Sequence, residues 1–450
     1  MTLPALSKPA RLYPTLPIHR HKDATMTTPF SCRRPFADLR LTWLPGGAFV
    51  LTALAALGLG SPAWAQDTST PLNQPWQEIE QQARGQTVYF NAWGGDPNVN
   101  GYLDWVADEL EQRHDIDLVH VKLDDTAAAV SRVLAEKSAG NVDEGAIDLI
   151  WINGENFAAM KANDLLLGPF AQRLPNFALT SPDANPEMTT DFTVPTEGFE
   201  SPWGKAQLTF YYDSERVEAP PTSMAALLDW TEQHPGRFTY PLVPDFHGST
   251  FLKQALIALI DDPAVLARPV GEADAEAAMA PLWDYLDALH PHLWRQGRDF
   301  PASGPALRSL MGDGELSLAF TFNPAEPAAA VNNYQLPPSI RSYVLDGGTI
   351  GNVHFVTIPF NASHQAGAMV TANFLLSPEA QARKQQLDVW GDPSVLDLAR
   401  LNEAERQALT PMDDQPARLA PQALQQTLPE PHPSWMEAVE AAWLERYGSR

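Results

Sequence analysis

Cysteine is all but missing from this chain. The 450-residue sequence holds one, Cys32, and it lies ahead of an apolar run that reads as a removable leader. The polypeptide left after removal has no disulfide, no thiolate nucleophile and no cysteine-based metal site. Basic residues are scarce as well. Residues 1–65 take seven of the 30 Lys and Arg and two of the 55 Asp and Glu, leaving 23 basic against 53 acidic side chains. A balance that acidic keeps an exported protein soluble and excludes nucleic acid and anionic membrane surfaces as expected partners. No repeat of solenoid period and no long low-complexity tract is present, so the chain must stand on ordinary cores.

The common catalytic signatures are absent too. There is no Gly-x-Ser-x-Gly elbow, no His-Glu-x-x-His, no Walker lysine loop and no Gly-x-Gly-x-x-Gly after the first strand. An enzyme of this sequence would have to work with scattered carboxylates, as a carbohydrate-active or other hydrolytic or lyase enzyme, which is the alternative to a binding protein. No cofactor is expected. His290-Pro291-His292 has metal-like spacing but no evident carboxylate or cysteine partner, and a helix-ending loop explains it.

What is present begins with the leader. Arg33, Arg34 and Arg40 precede an apolar stretch from Leu41 to Leu59, followed by Ala63-Trp64-Ala65. Positive, apolar, then small-x-small is the order of a secretory signal peptide, with cleavage expected after Ala65 and a periplasmic destination. A membrane anchor is the competing reading, and Pro45, Gly46 and Gly47 argue against it. Arg33-Arg34-Pro35-Phe36 also resembles a twin-arginine signal, although ordinary secretion uses the same arginines. Either Met1 or Met26 serves as the start.

The remaining residues alternate between strand and helix patterns. Gly85 to Asp96 is a β-forming run that stops at Gly94-Gly95-Asp96, and helices are expected over Pro71–Arg84 and Asn98–Arg113. Ile116–Leu123 reads as a strand, Thr126–Ser138 as a helix, and Ile147–Ile152 as a strand ending at Asn153-Gly154-Glu155-Asn156. That alternation predicts a parallel sheet with helices on both faces. After a proline-rich passage, Gln207–Tyr212 and Arg237–Tyr240 read as strands, and Gly248-Ser249-Thr250 as the opening of a helix beginning near Phe251. Leu316–Phe322 and His354–Pro359 are further strands. Ser434 and Glu437 fit a capping box on a final helix with a Trp435, Val439, Trp443 stripe.

Several of these stretches resemble solute-binding proteins of ABC importers. Ile147 to Gly154 with the helix after it resembles their third strand and ligand loop, Tyr211-Tyr212-Asp213-Ser214 their crossover into the second lobe, and Phe374 to Gln381 their late helix. Val88 to Asp96, Glu200 to Gly204 and Gly351 to Pro359 are similar to a YnjB-like subgroup. The resemblance implies an α/β, two-lobed periplasmic-binding-protein fold, type II-like, each lobe a mostly parallel sheet flanked by helices. It assigns residues 66–202 to the first lobe, 203–350 to the second lobe with its crossover, and 351–450 to the return into the first lobe and a C-terminal helical tail. Crossovers are expected near Ser201–Gln207, Thr321–Pro324 and Gly351–His354. The function implied is capture of a small polar or charged molecule between the lobes and its delivery, by a monomer, to permease subunits driven by a separate ATPase.

Loops at the ends of strands would line the cleft: Asn91, Trp93, Asp96, Asn153, Glu155, Trp203, Asp245, Ser249, Thr250 and Asn323. Asp96, Glu155 and Asp245 near Trp93 and Trp203 suit a cation, through charge pairing and cation-π attraction. Helix capping accounts for the same acids. Ser249 and Thr250 suit an anion at a helix start, or simply cap that helix. Tyr211 and Tyr212, on opposite faces of one strand, belong to the core rather than to a metal.

Overall fold

The structure, a computed structural model, describes residues 70–410, 415–419, 423–424 and 427–448. The leader reading falls on residues outside this range. The chain opens with α1 (Trp76–Ala83), β1 (Thr87–Trp93), α2 (Pro97–His114), β2 (Asp117–Leu123), α3 (Ala127–Ser138), β3 (Leu149–Ile152) and α4 (Gly154–Ala162). β1 lies between β2 and β3, parallel to both, as the alternating pattern requires.

A short ladder follows, β4 (Thr190–Asp191) with β5 (Val194–Pro195), and then β6 (Glu200–Gln207) and β7 (Thr209–Asp213), separated by Leu208 alone. The second half contains α5 (Met224–Gln233), α6 (Phe246–Leu259), α7 (Ala275–Leu289), α8 (Gly304–Gly312), β8 (Leu318–Thr321), α9 (Glu326–Asn332) and β9 (Ile340–Tyr343). The chain returns through β10 (Thr349–Thr357) to α10 (Gln365–Leu375), α11 (Pro378–Lys384) and α12 (Glu403–Leu409), and ends with β11 (Thr427–Leu428) and α13 (Pro433–Tyr447).

Two sheets result. The first runs β2-β1-β3-β10-β11, with β6 also on β10; β10 is antiparallel to β3 and β6. The second, β8-β7-β9, is antiparallel throughout, which corrects the expectation of a mostly parallel sheet in each lobe. The cause is connectivity. β6 feeds β7 through one residue and β9 returns into β10, so the pair that leaves the first sheet as an antiparallel ribbon enters the second as one. Arg237–Tyr240 forms no strand.

Each sheet carries its own core. Phe90, Trp203, Phe355, Met369 and Phe374 belong to the first, with a satellite of Val133, Phe157 and Met160 between α3 and α4. Phe210, Phe238, Phe251 and Leu286 belong to the second, which also takes Trp435, Val439 and Trp443 from α13. The tail helix therefore completes the second lobe. Its cap is His432, which accepts from the Ser434 N–H at 3.3 Å; Ser434 already lies inside the helix, so the anticipated capping box does not form. The third passage between lobes precedes α13. Thr321–Pro324 is not a crossover, because it leads into α9, whose Ala328, Ala329 and Ala330 pack in the same core as β8.

Candidate functional site

The first wall is built where β1 and β3 end. Asn91 is buried in β1, paired with Ile150 and Val121. Beyond it, a Cβ on Gly95 would stand 2.5 Å from the Trp93 indole and one on Gly94 2.6 Å from the Lys122 Cβ, so only glycines let this turn lie flat. Asp96 caps α2 through the Asn98 N–H at 2.7 Å. Its other oxygen, Oδ2, accepts from Arg308 Nη2 of α8, in the opposite lobe, at 3.2 Å. Capping and cleft contact thus coexist in one side chain. Arg308 also donates to Glu326, which in turn accepts from the Thr321 hydroxyl.

The second loop of this wall is the start of α4. Asn153 Nδ2 donates to the Val353 carbonyl at 2.7 Å and faces Asp191 Oδ1 at 3.4 Å, while Asp191 Oδ2 accepts the Gly154 N–H at 2.6 Å. Asp191, not Asn153, therefore caps α4. Gly154 has φ of 59°, and a Cβ there would meet the Phe192 ring at 2.8 Å. Glu155 follows in the first turn, half-buried. Burial pushes its carboxyl up to about 7, against the opposing pull of its own backbone N–H and Lys253, with Glu440 and Asp125 pushing the same way as burial.

The facing wall is α6. Asp245 caps it through the His247 N–H at 3.0 Å, so the helix begins at Phe246. Gly248-Ser249-Thr250 consequently does not open the helix: the Ser249 N–H already donates to Asp245 O at 3.0 Å within it. That corrects the anion-binding reading of these residues. The Ser249 hydroxyl instead donates to Glu440 Oε1 of α13 at 2.5 Å, and Thr250 Oγ1 is buried without a hydrogen-bond partner. One turn on, Lys253 is 1% exposed, with Nζ 2.7 Å from Glu430 Oε2 and 4.5 and 5.6 Å from the ring centres of Phe192 and Phe246. Glu430 Oε1 accepts from Asn352 on β10 at 2.9 Å. Phe192 comes from the first lobe, so the ammonium is held between lobes. Phe246 packs edge-on to Phe322 at 5.1 Å, and the next residue, Asn323, faces the Trp390 carbonyl of the first lobe at 3.4 Å.

Trp203 does not join this seam. It is fully buried among Phe90, Tyr102, Trp151, His354 and Trp390, with ring centres 4.9–6.5 Å away. β6 pairs with β10 alone among the strands, and its side chain at 203 packs into the first core, so stacking on a ligand is not available to it. Of the residues nominated from sequence, Asp96, Glu155, Ser249 and Asn323 meet along the seam, with Trp93, Asn153, Asp245 and Thr250 close by in the same loops and turns. Arg308, Glu326, Lys253, Glu430, Phe192 and Phe246 complete it and were not nominated. A lysine inside the apolar run Phe251 to Leu259 was the one local signal for them. Among the described residues no group of three or more acids, histidines or cysteines is arranged to hold a metal. His290 hydrogen-bonds Tyr240 at 2.6 Å in the second core.

The geometry is that of two lobes meeting over a polar, acid-rich seam, and comparison with known proteins agrees. The profile of the bacterial extracellular solute-binding proteins matches residues 105–407. The chain is 48% identical to Protein YnjB of Escherichia coli (strain K12) over 374 residues, 83% of this chain and 94% of YnjB. Among solved structures, the periplasmic binding protein AfuA from Actinobacillus pleuropneumoniae superposes with a TM-score of 0.56 at 15% identity, over 81% of this chain and 99% of AfuA. The substrate-binding protein PotD of a spermidine/putrescine ABC transporter from Streptococcus pneumoniae gives 0.52 at 14% identity, over 81% and 97%. Identities that low speak for the fold alone, whereas the profile and the YnjB match cover most of the chain: it belongs to the bacterial extracellular solute-binding proteins, the solute-capturing components of ABC importers.

Proposed function

We propose that this chain is exported to the periplasm and closes its two lobes around a small solute bearing a positive charge, held along the seam from Asp96 to Glu155. Delivery is to permease subunits driven by a separate ATPase, with the binding protein acting as a monomer and without a cofactor. The cleft would be lined by Asn91, Trp93, Asp96, Asn153 and Glu155 from one lobe and by Asp245, Ser249, Thr250 and Asn323 from the other, with Arg308 and Lys253 added.

The observation that carries the charge assignment is a surplus of carboxylates. Asp96, Glu326, Glu155, Glu440 and Glu430 face two cations, Arg308 and Lys253, and Lys253 is already matched by Glu430. A partly desolvated site with excess negative charge favours a cation. The fold neighbours include AfuA with bound fructose-6-phosphate and the binding protein of a spermidine/putrescine transporter. The fold therefore leaves the ligand open, and its charge has to come from these side chains.

The enzyme reading uses the same acids. Against it, each seam acid has a structural partner: a helix cap and arginine for Asp96, the same arginine and Thr321 for Glu326, Asn156 for Glu155, a serine for Glu440, a lysine and asparagine for Glu430. Mass spectrometry of the small molecule that co-purifies, followed by calorimetry with that molecule and with amine and carboxylic acid panels, tests the proposal. An amine-bearing solute recovered unchanged supports it. Tight binding of anions with none of amines, or conversion of the solute, overturns it.

A further inference from the structure

We propose that Lys253 is a specificity-determining residue: its ammonium fills an ammonium-binding cage of Phe192, Phe246 and Glu430 within the seam, and so denies that cage to the solute. The inference rests on the solute-capture reading and deepens it, confining the solute's cation to the stretch from Asp96 to Glu155.

The cage takes walls from both lobes. Glu430 Oε2 lies 2.7 Å from the Lys253 Nζ, which stands over the rings of Phe192 and Phe246 with centres 4.5 and 5.6 Å away. A carboxylate with aromatic rings around it is the arrangement that recognises an alkylammonium. Asn352 Nδ2 donates to the other oxygen of Glu430 at 2.9 Å, which fixes the direction in which that carboxylate faces. The side chains of the ion pair are 1% and 2% exposed. Phe192 reaches its position through an unusual backbone. It and Thr193 form the two-residue turn between β4 and β5 with φ of 42° and 71°, a conformation that asparagine and glycine adopt more readily. The same ring closes on Gly154 at the start of α4, where an added Cβ would stand 2.8 Å from it.

Stability alone does not account for a lysine here. Desolvation of both charges offsets much of the attraction in a buried ion pair, and apolar residues of the same volume would fill the gap as well. What lysine does and methionine cannot do is satisfy Glu430 from within the chain. An empty cage would present a desolvated carboxylate flanked by two rings, and would take the ammonium end of any linear amine that reached it. The charge of Lys253 also bears on Glu155 and Glu440, pulling both down against the burial that raises them, so the filled cage borders the acids left for the solute.

Lys253→Ala removes the part of the side chain that n-propylammonium can replace, and calorimetry and melting temperature with n-propylammonium chloride read the result. The expected outcome is binding to Lys253→Ala with a rise in melting temperature, none to the parent, and none to Lys253→Met, whose side chain still occupies the cage. Adding Glu430→Gln to Lys253→Ala should weaken that binding by about tenfold or more, the loss of a charge-assisted hydrogen bond, with an unchanged circular dichroism spectrum. Should Lys253→Ala not fold in plain buffer, folding restored by n-propylammonium chloride and not by sodium chloride at equal ionic strength gives the same support. Neither binding nor restored folding in Lys253→Ala, equal binding in the parent, or equal affinity after Glu430→Gln overturns the proposal. The co-purified solute separates the two readings. An anionic solute together with n-propylammonium binding to Lys253→Ala upholds the cage and rejects the cationic solute; an amine solute with no such binding rejects the cage alone.

Discussion

Arg308 Nη2 lies 3.2 Å from Asp96 Oδ2, joining α8 of one lobe to the cap of α2 in the other across 212 residues of sequence. All three members of the group, Arg308, Asp96 and Glu326, have side chains 12–20% exposed, so the charges are partly desolvated. Removing the arginine leaves two carboxylates facing each other. Arg308→Met is expected to widen the interlobe distance and to lower stability by about 2–3 kcal/mol, less than the loss for a fully buried partner. Denaturant unfolding together with small-angle scattering checks both, and an unchanged radius of gyration would mean the pair does not hold the lobes.

The two tryptophans nominated from sequence separate cleanly in experiment. Trp203→Ala empties a fully enclosed site and should cost about 3–5 kcal/mol. Trp203→Phe should bind solute as the parent does. Trp93 lies half-buried beside the glycine turn, and Trp93→Ala should weaken solute binding while costing less stability. The pair of unfolding curves and binding isotherms decides the assignment.

Gly154 combines a left-handed backbone with a phenylalanine ring that any added Cβ would overlap, at 2.8 Å. Gly154→Ala should destabilise by about 1–3 kcal/mol, from the strained φ and the displacement of Phe192. Because Phe192 covers Lys253, solute affinity should fall as well. Thermal unfolding and calorimetry on the same preparation would show whether the two losses occur together.

Stability should also depend on pH in a definite direction. Burial raises Asp191, Glu200, Glu155 and Glu440, so the folded chain binds more protons than the unfolded chain near neutrality. Stability then rises as pH falls from 8 toward 5. Below the ordinary carboxylate range the trend reverses: burial opposes ionisation of Glu136, but hydrogen bonds from Arg132 and Asn361 hold it lower, and its protonation forfeits them. Melting temperature measured every half unit of pH should pass through a maximum between these limits. A monotonic rise from 5 to 8 would contradict the assignment.

The first lobe was readable because its elements obey local periods. β1 to α4 alternate apolar runs with i, i+3, i+7 helices, and each predicted element lies within a few residues of its observed position. β6 was only partly read, since Pro202, Gly204 and two charged residues break any strand pattern; seven residue pairs with β10 hold it extended. The antiparallel second sheet was not legible, because strand direction depends on how two crossovers enter it. Site residues divide along the same line. Asp96 and Glu155 stand at strand ends and could be nominated locally. Arg308, Glu326 and Glu430 acquire meaning only through partners far away in sequence, and nothing near them in the chain signals those partners. Trp203 failed for the opposite reason, its neighbours Pro202 and Gly204 imitating a loop inside a buried strand.

The most direct test of the account is the distance between spin labels on Leu134→Cys and Tyr334→Cys, both exposed and on different lobes, in a Cys32→Ser background, followed as the co-purified solute is titrated into the protein. The account predicts a saturable shortening at one solute per chain, abolished when Asp96 and Glu155 are both replaced by their amides, with the solute recovered intact. A distance that stays constant while solute binds would contradict closure over the seam.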